Sequence, residues 1–227
     1  MHWLIILGIL LALLAGPQLW VQSVLKRYNL KDEKNFPGSG AEFARHLLNL
    51  MGLNEVKVEV TDLGDHYDPE TRSVRLAKDK FDRRTLTAVT VAAHEVGHAI
   101  QHAREEPWFM WRSRLAAWAT TASKVGSFLL FLIPVLPLLT KVPLTGLIPA
   151  AAAFLILGSG LMVQLLTLPV EIDASFDKAL PLLEAGFLDD RQKRPARAVL
   201  RAAAWTYVAG ALLGLLNFWR WMQVLRR

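Results

Sequence analysis

Long uncharged segments alternate with polar segments along this chain, and they predict a mainly α-helical membrane protein. The first 25 residues contain no Asp, Glu, Lys or Arg, and residues 125–170 contain a single charged side chain, Lys141. A further uncharged segment covers residues 202–219. Because about 20 apolar residues span the hydrocarbon layer as a helix, we expect an N-terminal anchor, a hairpin of two spans and a third apolar region.

The N-terminal segment, residues 1–25, is predicted to remain as a transmembrane anchor. No Lys or Arg precedes its apolar core, whereas Lys26, Arg27, Lys31 and Lys34 follow it. The positive-inside rule then places the end of the anchor in the cytoplasm. A cleaved signal peptide is the alternative, but it usually begins with a positively charged region.

The segment 125–170 is predicted to be a transmembrane hairpin, because Pro143, Gly146 and Pro149 lie in its interior, where a turn belongs. A hairpin returns the chain to the side of the membrane that it left. Glu171 is the first charged residue after the hairpin, so we expect it on the same side as residues 26–124.

The last part of the chain gives two conflicting signals. Residues 171–201 are polar and become strongly basic toward their end, which predicts a lipid-facing cytoplasmic patch. Residues 202–227 are predicted to be a transmembrane or interfacial helix. A fourth span would put the C-terminus outside the cell, whereas Arg220, Arg226 and Arg227 favour the cytoplasm.

Residues 26–124 have the character of a small soluble α+β region. Ser39 and Glu42 have the spacing of a capping box, and the helix that they begin is expected to end near Gly52. Valines alternate with charged residues over 56–60, which predicts a half-buried strand, and residues 73–77 are predicted to form a second strand.

Tryptophans cluster near the end of this region. Trp108, Trp111 and Trp118 are interleaved with Arg112 and Arg114. This pattern is typical of an amphipathic helix at the level of the lipid headgroups. An ordinary aromatic core stripe is the alternative.

The candidate chemistry lies in residues 85–103, a segment without proline that is predicted to be a helix. His94 and His98 are four residues apart, so they project from one face and can share a metal ion. With Glu95 beside the first histidine they form the HExxH arrangement of zinc peptidases. Zinc would take both histidines and a third protein ligand, and Glu95 could accept the proton of a bound water.

The third ligand has to come from elsewhere in the chain. Arg104 stands where metzincins have a third histidine, and His102 lies about 12 Å along the helix axis from the first histidine, too far to share one ion. A carboxylate at the end of the hairpin fits best, which favours Glu171. Asp173 and Asp177 are alternatives, and either could instead orient a histidine.

Composition and charge limit the kinds of metal ligand and of binding partner that this chain can have. The chain contains no cysteine, so a zinc site must use histidine and carboxylate ligands. The formal net charge is +6, which we relate to membrane topology. A protein that binds single-stranded nucleic acid through basic patches would not need uncharged segments of this length. We therefore expect the lipid bilayer as a partner and no nucleic acid.

Three segments of the chain resemble the YugP-type bacterial membrane neutral zinc metallopeptidases. They are His-Glu-Val-Gly-His-Ala-Ile-Gln at residues 94–101, Asp-His-Tyr-Asp-Pro at residues 65–69 and Leu-Pro-Val-Glu-Ile-Asp-Ala-Ser at residues 168–175. The resemblance covers nearly the whole chain and extends more distantly to the HtpX-type membrane proteases. Those proteases usually have an Asp four residues after the glutamate ligand, where this chain has Ser175.

The resemblance implies a multi-pass helical membrane protein with a small α+β, zincin-like catalytic portion. It implies a gluzincin-like site, with one Zn²⁺ held by His94, His98 and Glu171 and with Glu95 as the general base. The expected activity is that of a metalloendopeptidase in the bacterial inner membrane, with its active site on the cytoplasmic side and membrane-associated polypeptides as substrates. A zinc-stabilised membrane scaffold without peptidase activity is the alternative function.

An oxyanion-stabilising donor is also expected in such a site. His66, Tyr67 and Tyr207 are candidates, among which the sequence does not choose. Zincin folds hold an extended substrate against a sheet edge near the metal-site helix, and the predicted strand at residues 73–77 is the local candidate for this edge.

Overall fold

The fold is built around one buried helix, and the computed structural model describes residues 2–32, 36 and 38–225. The helices within these residues are α1 (His2–Arg27), α2 (Gly40–Leu50), α3 (Lys78–Phe81), α4 (Leu86–Ala103), α5 (Pro107–Thr140), α6 (Leu147–Ile172), α7 (Leu180–Glu184) and α8 (Asp190–Leu225). The strands are β1 (Lys57–Thr61), β2 (His66–Asp68) and β3 (Ser73–Ala77).

Helix α4 is the central element. Thr85 caps its N-terminus by accepting a hydrogen bond from the backbone N–H of Ala88 at 3.0 Å, which satisfies one of the free donors of the first turn. Every residue from Leu86 to Gln101 is buried. The helix packs against α2, β2, β3 and α8. Polar groups on its face must therefore find partners inside the protein.

The predicted helix after residue 39 is confirmed as α2. The Ser39 hydroxyl accepts from the Glu42 N–H at 3.4 Å, and the Glu42 carboxylate accepts from the Ser39 N–H at 2.7 Å. This is the complete capping box that the spacing indicates. The helix ends at Leu50, and Gly52 follows with a positive φ of 73°, as a residue just after a helix often has.

The sheet confirms both predicted strands and corrects the expected substrate edge. The strand order is β1-β3-β2, with β3 parallel to β1 and antiparallel to β2. Because β3 (Ser73–Ala77) is paired on both sides, the prediction that it forms the substrate edge is wrong. The edge strand that packs on α4 is β2 (His66–Asp68), a three-residue strand that is too short for its residue pattern to reveal.

The predicted turn between two apolar helices lies at residues 141–146. Helix α5 runs through Pro134 and Pro137 and ends at Thr140, and the following Lys141 has a φ of 58° that reverses the chain. A 3₁₀ turn (Pro143–Gly146) leads into α6, which packs along α5. Helix α5 begins at Pro107, so the predicted amphipathic helix and the first helix of the hairpin form one element of 34 residues.

By length and composition, α5 is the one helix in the described part of the chain that meets the criteria for a membrane span. Its tryptophans are exposed: Trp108 by 66%, Trp111 by 60% and Trp118 by 77%. The alternative of an aromatic core stripe is therefore wrong. The exposed side chains are consistent with a position at a membrane interface.

Helices α1 and α8 pack against each other along the side of the molecule. Helix α8 continues from Asp190 to Leu225, so the basic segment and the last apolar segment belong to one helix. No helix end marks the predicted limit between residues 201 and 202. The transmembrane anchor predicted for residues 1–25 and the transmembrane or interfacial helix predicted for residues 202–227 stay predictions.

After α6 the backbone widens into a π-helical segment, Asp173–Ala179, which we call the π segment. It packs closely against α4 at Gly97. A Cβ added to Gly97 would stand 2.6 Å from the carbonyl oxygen of Ala174 and 3.3 Å from its carbonyl carbon and Cα. Only a residue without a side chain allows this approach, which brings the end of α6 beside the histidines.

We expect Gly97→Ala to destabilise the protein, because the added methyl group collides with backbone atoms that have no flexible side chain to move. Overpacking of this kind lowers the free energy of unfolding by about 1–3 kcal/mol. Thermal or denaturant unfolding in detergent measures the change. Gly210→Ala is the matched control, because a Cβ at Gly210 of α8 meets nothing within 4 Å. Equal stability of the two variants would contradict the close packing at Gly97.

Candidate metal centre

Three buried side chains from α4 and α6 converge on one point. The Nε2 atoms of His94 and His98 both lie 3.2 Å from Oε2 of Glu171. One potential ligand atom from each residue lies within 4.8 Å of the other two. The structure thus brings together the three residues that the sequence predicts as ligands. It also brings Glu171, at the end of α6, into contact with α4.

The orientation of His94 is set by Ser175 of the π segment. The Ser175 hydroxyl donates to the carbonyl oxygen of Leu200 at 3.2 Å, so its oxygen accepts from Nδ1 of His94 at 3.0 Å. Nδ1 of His94 then carries a proton, and Nε2 is the ring atom that faces Glu171. The sequence analysis transferred no role to Ser175, and the structure makes it the hydrogen-bond partner of a candidate ligand.

His98 is held in the same way by Gln101, one turn further along α4. The Gln101 amide nitrogen donates to the carbonyl oxygen of Val170 at 2.9 Å and to Oδ2 of Asp173 at 2.5 Å. Both partners are acceptors, so the amide oxygen must be the atom that faces Nδ1 of His98, at 2.8 Å. Nδ1 of His98 therefore donates, and its Nε2 is again the ring atom that faces Glu171.

The two alternative carboxylates take different positions. Asp173 accepts a hydrogen bond from Gln101, which in turn contacts His98. Asp173 also forms an ion pair with Lys178. Nζ of Lys178 lies 3.0 Å from Oε1 of Glu106, just before α5. Asp177 is exposed and lies outside the cluster. The expectation that one of these residues could orient a histidine fits Asp173, acting through Gln101.

Glu95 lies beside His94 on α4 and is only 5% exposed. Burial raises the pKa of Glu95 to about 7, and the negative charges of Asp65 and Glu171 act in the same direction, while His94 opposes them. A carboxyl group with this pKa exists in both protonation states near neutral pH.

Two of the three candidates for an oxyanion donor, His66 and Tyr67, have other partners in this structure. The Tyr67 hydroxyl lies 2.8 Å from Nδ1 of His102, and burial raises the pKa of Tyr67 to about 12, so it keeps its proton. Nδ1 of His66 donates to the carbonyl oxygen of Gly64 at 2.8 Å, within the turn before β2. The side chain of Tyr207 lies outside the described residues.

Three further residues shape the site without being recognisable from the residue pattern. Gly97 allows the approach of the π segment, and Gln101 fixes His98. Arg112 of α5 reaches into the site, where its Nη2 lies 2.9 Å from Oε1 of Glu171. One feature of the sequence could have indicated the role of Gln101. It is a polar amide one turn beyond the second histidine in an otherwise apolar helix, and a buried amide needs hydrogen-bond partners.

The residues fit a zinc ion by the chemistry of their donors. Two imidazoles whose Nδ1 protons are held by acceptors, and one buried carboxylate, form the ligand set of His₂Glu zinc sites, in which each Nε2 gives up its proton to bind the metal. Such a set leaves a position for water. A buried carboxylate is unfavourable unless positive charge or hydrogen bonds balance it, and a metal ion supplies that balance.

Comparison with known proteins agrees with this chemistry. Residues 3–226 match a family described as "putative neutral zinc metallopeptidase". The chain is also 36% identical over 209 residues to the "putative membrane protease YugP" of Bacillus subtilis (strain 168), an alignment that covers 91% of this chain and 89% of that protein. No solved structure gives a significant match. The chain therefore belongs to the family of YugP-type neutral zinc metallopeptidases.

Proposed function

We propose that this protein is a membrane-embedded zinc metalloendopeptidase in which His94, His98 and Glu171 hold one zinc ion. The observation that carries the proposal is the convergence of two Nε2 atoms on one carboxylate oxygen at 3.2 Å, inside a buried site. Zinc bound there would lower the pKa of its water toward neutrality and polarise the scissile carbonyl group.

Glu95 is the proposed general base. It follows His94 directly on α4, so its side chain projects about 100° round the helix from the first ligand and can face a water in the open position. With zinc bound, Glu95 would accept the proton of a water and would pass it to the leaving amine. A zinc-binding scaffold would need the three ligands but would have no use for a buried carboxyl group beside them.

We expect Glu95→Gln to lower the rate of peptide hydrolysis by about 10²- to 10⁴-fold, the contribution typical of a positioned general base. Zinc content is expected to stay at one per chain, because the substitution leaves all three ligands unchanged. Cleavage of an unfolded reporter protein by the detergent-purified variants, with zinc determined on the same samples, measures both effects.

Glu105→Gln is the matched control for this experiment, because Glu105 is an exposed glutamate just after the end of α4. It is expected to cleave like wild type. Zinc-loaded wild type without peptidase activity would favour the scaffold function. Absence of zinc from the wild-type protein would contradict the proposed metal centre.

The hydrogen bond from His94 to Ser175 is expected to matter for metal affinity. Loss of a partner that orients a metal-bound histidine weakens binding or activity by about 10- to 100-fold. Ser175→Ala should therefore raise the zinc dissociation constant on this scale, as measured by competition with a chromogenic chelator.

The control is Ser113→Ala. The Ser113 hydroxyl donates to the carbonyl oxygen of Phe109 within its own helix, at 3.0 Å, so its loss should leave zinc affinity unchanged. If Ser175→Ala and Ser113→Ala bind zinc equally well, Ser175 does not orient His94 in the metal-bound protein.

The substrates that we propose are membrane or juxtamembrane polypeptides. Strand β2 is the sheet edge packed on α4, and its outer side is where an extended peptide could add as a further strand. Tyr67 lies on this strand, with its hydroxyl 2.8 Å from Nδ1 of His102. This assignment rests on analogy with the way zincin folds hold substrates.

We further propose a multi-pass topology in which α5 and α6 form a transmembrane hairpin and the metal centre lies at the cytoplasmic surface of the inner membrane. The contacts of Glu171 with α4 support a hairpin that returns the chain to its starting side. The basic residues that follow the N-terminal segment support the cytoplasmic assignment of that side.

The absence of cysteine from the chain makes this topology directly testable with single-cysteine variants. Asp62, between β1 and β2, and Lys141, at the hairpin turn, are both exposed. We expect a membrane-impermeant maleimide to label Asp62→Cys in inverted vesicles only and Lys141→Cys in right-side-out cells only. The cysteine-free wild type gives the background, and labelling of both positions from the same side would contradict the hairpin.

A further inference from the structure

Arg112 is a largely buried arginine in a helix segment whose aromatic neighbours are exposed. It lies in the second turn of α5, and its side chain is 15% exposed. Its guanidinium lies over the ring of Phe109, with its central carbon 5.9 Å from the ring centroid. From there it reaches Glu171. The arginine therefore faces the candidate metal centre, although the sequence pattern predicts an amphipathic helix at the level of the lipid headgroups here.

The two oxygen atoms of Glu171 have different neighbours. Oε2 lies 3.2 Å from the Nε2 atoms of both histidines. Oε1 lies 2.9 Å from Nη2 of Arg112, and it has no hydrogen bond to any described residue. The contact between Arg112 and Oε1 is therefore an ion pair whose angles differ from those of a hydrogen bond. One oxygen of the carboxylate thus faces the two histidines, and the other faces the arginine.

The contact of Arg112 with His98 is secondary. Nη1 of Arg112 lies 3.4 Å from Nδ1 of His98. That Nδ1 carries the proton it donates to Gln101 at 2.8 Å, so it cannot accept another hydrogen bond. The ion pair of Arg112 is with Glu171, which is completely buried.

We propose that Arg112 is a positioning residue that reserves Oε1 of Glu171, so that this carboxylate binds zinc through Oε2 alone. This inference rests on the proposed function. A four-coordinate site with three protein ligands has one position for water, and a second carboxylate oxygen on the metal would compete for that position. The guanidinium prevents this, because a buried oxygen paired with a cation is strongly held.

The visible spectrum of the cobalt-substituted protein tests this inference, because Co²⁺ absorbs more strongly in four-coordinate sites than in sites of higher coordination number. We expect Arg112→Gln to bind one Co²⁺ per chain with a weaker d–d absorption than wild type, because Oε1 becomes free to bind the metal. We expect kcat for the zinc enzyme to fall about tenfold or more with little change in KM.

Two further variants make the test specific. Arg112→Lys keeps a positive charge for Oε1 and is expected to keep the wild-type spectrum. Arg114→Gln removes an exposed arginine of the same helix and should change neither spectrum nor kcat. A wild-type spectrum for Arg112→Gln would overturn the inference, and so would loss of metal from both Arg112 variants.

The remaining outcomes are also decisive. If Arg112→Gln does not fold, a folded Arg112→Lys with the wild-type spectrum supports the inference, and a folded one with an altered spectrum overturns it. If neither variant folds, Arg112 serves folding and the inference is overturned. A wild-type protein that binds no cobalt would overturn the proposed function itself, which distinguishes that failure from the failure of this inference.

Discussion

The site depends on the close approach of α4 to the π segment, because this contact places a carboxylate beside two histidines. At Gly97 the missing Cβ leaves room for the Ala174 carbonyl oxygen, and Glu171 meets both Nε2 atoms just before the π segment. A completely buried carboxylate is unfavourable unless cations or hydrogen-bond donors surround it. The fold thus holds a carboxylate where positive charge is required, and a divalent metal ion meets that requirement together with Arg112.

The two candidate histidine ligands are oriented by hydrogen bonds at Nδ1, and these bonds connect them to elements distant in sequence. Ser175 ties His94 to the π segment and to the carbonyl group of Leu200 on α8. Gln101 ties His98 to Val170 and to the start of the π segment. Each imidazole is therefore oriented by hydrogen bonds that exist without a metal, so the histidine side chains need little further ordering when a metal binds. This is the arrangement that keeps a metal site selective and rigid.

The candidate ligands could be predicted from the sequence, whereas their supports could not. The HExxH spacing is a local property of a helix, and the hairpin argument for Glu171 needs only the direction of the chain. The serine that orients His94 lies 81 residues away, and its role follows from a backbone approach that residue patterns do not encode. The central position of β3 was missed for a similar reason, because its parallel pairing with β1 joins strands that are not neighbours in sequence.

Helix α5 links the expected membrane hairpin to the metal centre. Arg112 in its second turn pairs with Glu171, and Glu106 at its start pairs with Lys178 of the π segment. Both cations are largely buried, with side-chain exposures of 15% and 9%, and separating a buried ion pair leaves an uncompensated charge inside the protein. The first turns of α5 therefore cannot shift relative to the candidate ligands without a large free-energy penalty. The start of α5 is therefore held to the candidate ligands, so in the proposed hairpin topology this helix would set the distance of the site from the bilayer.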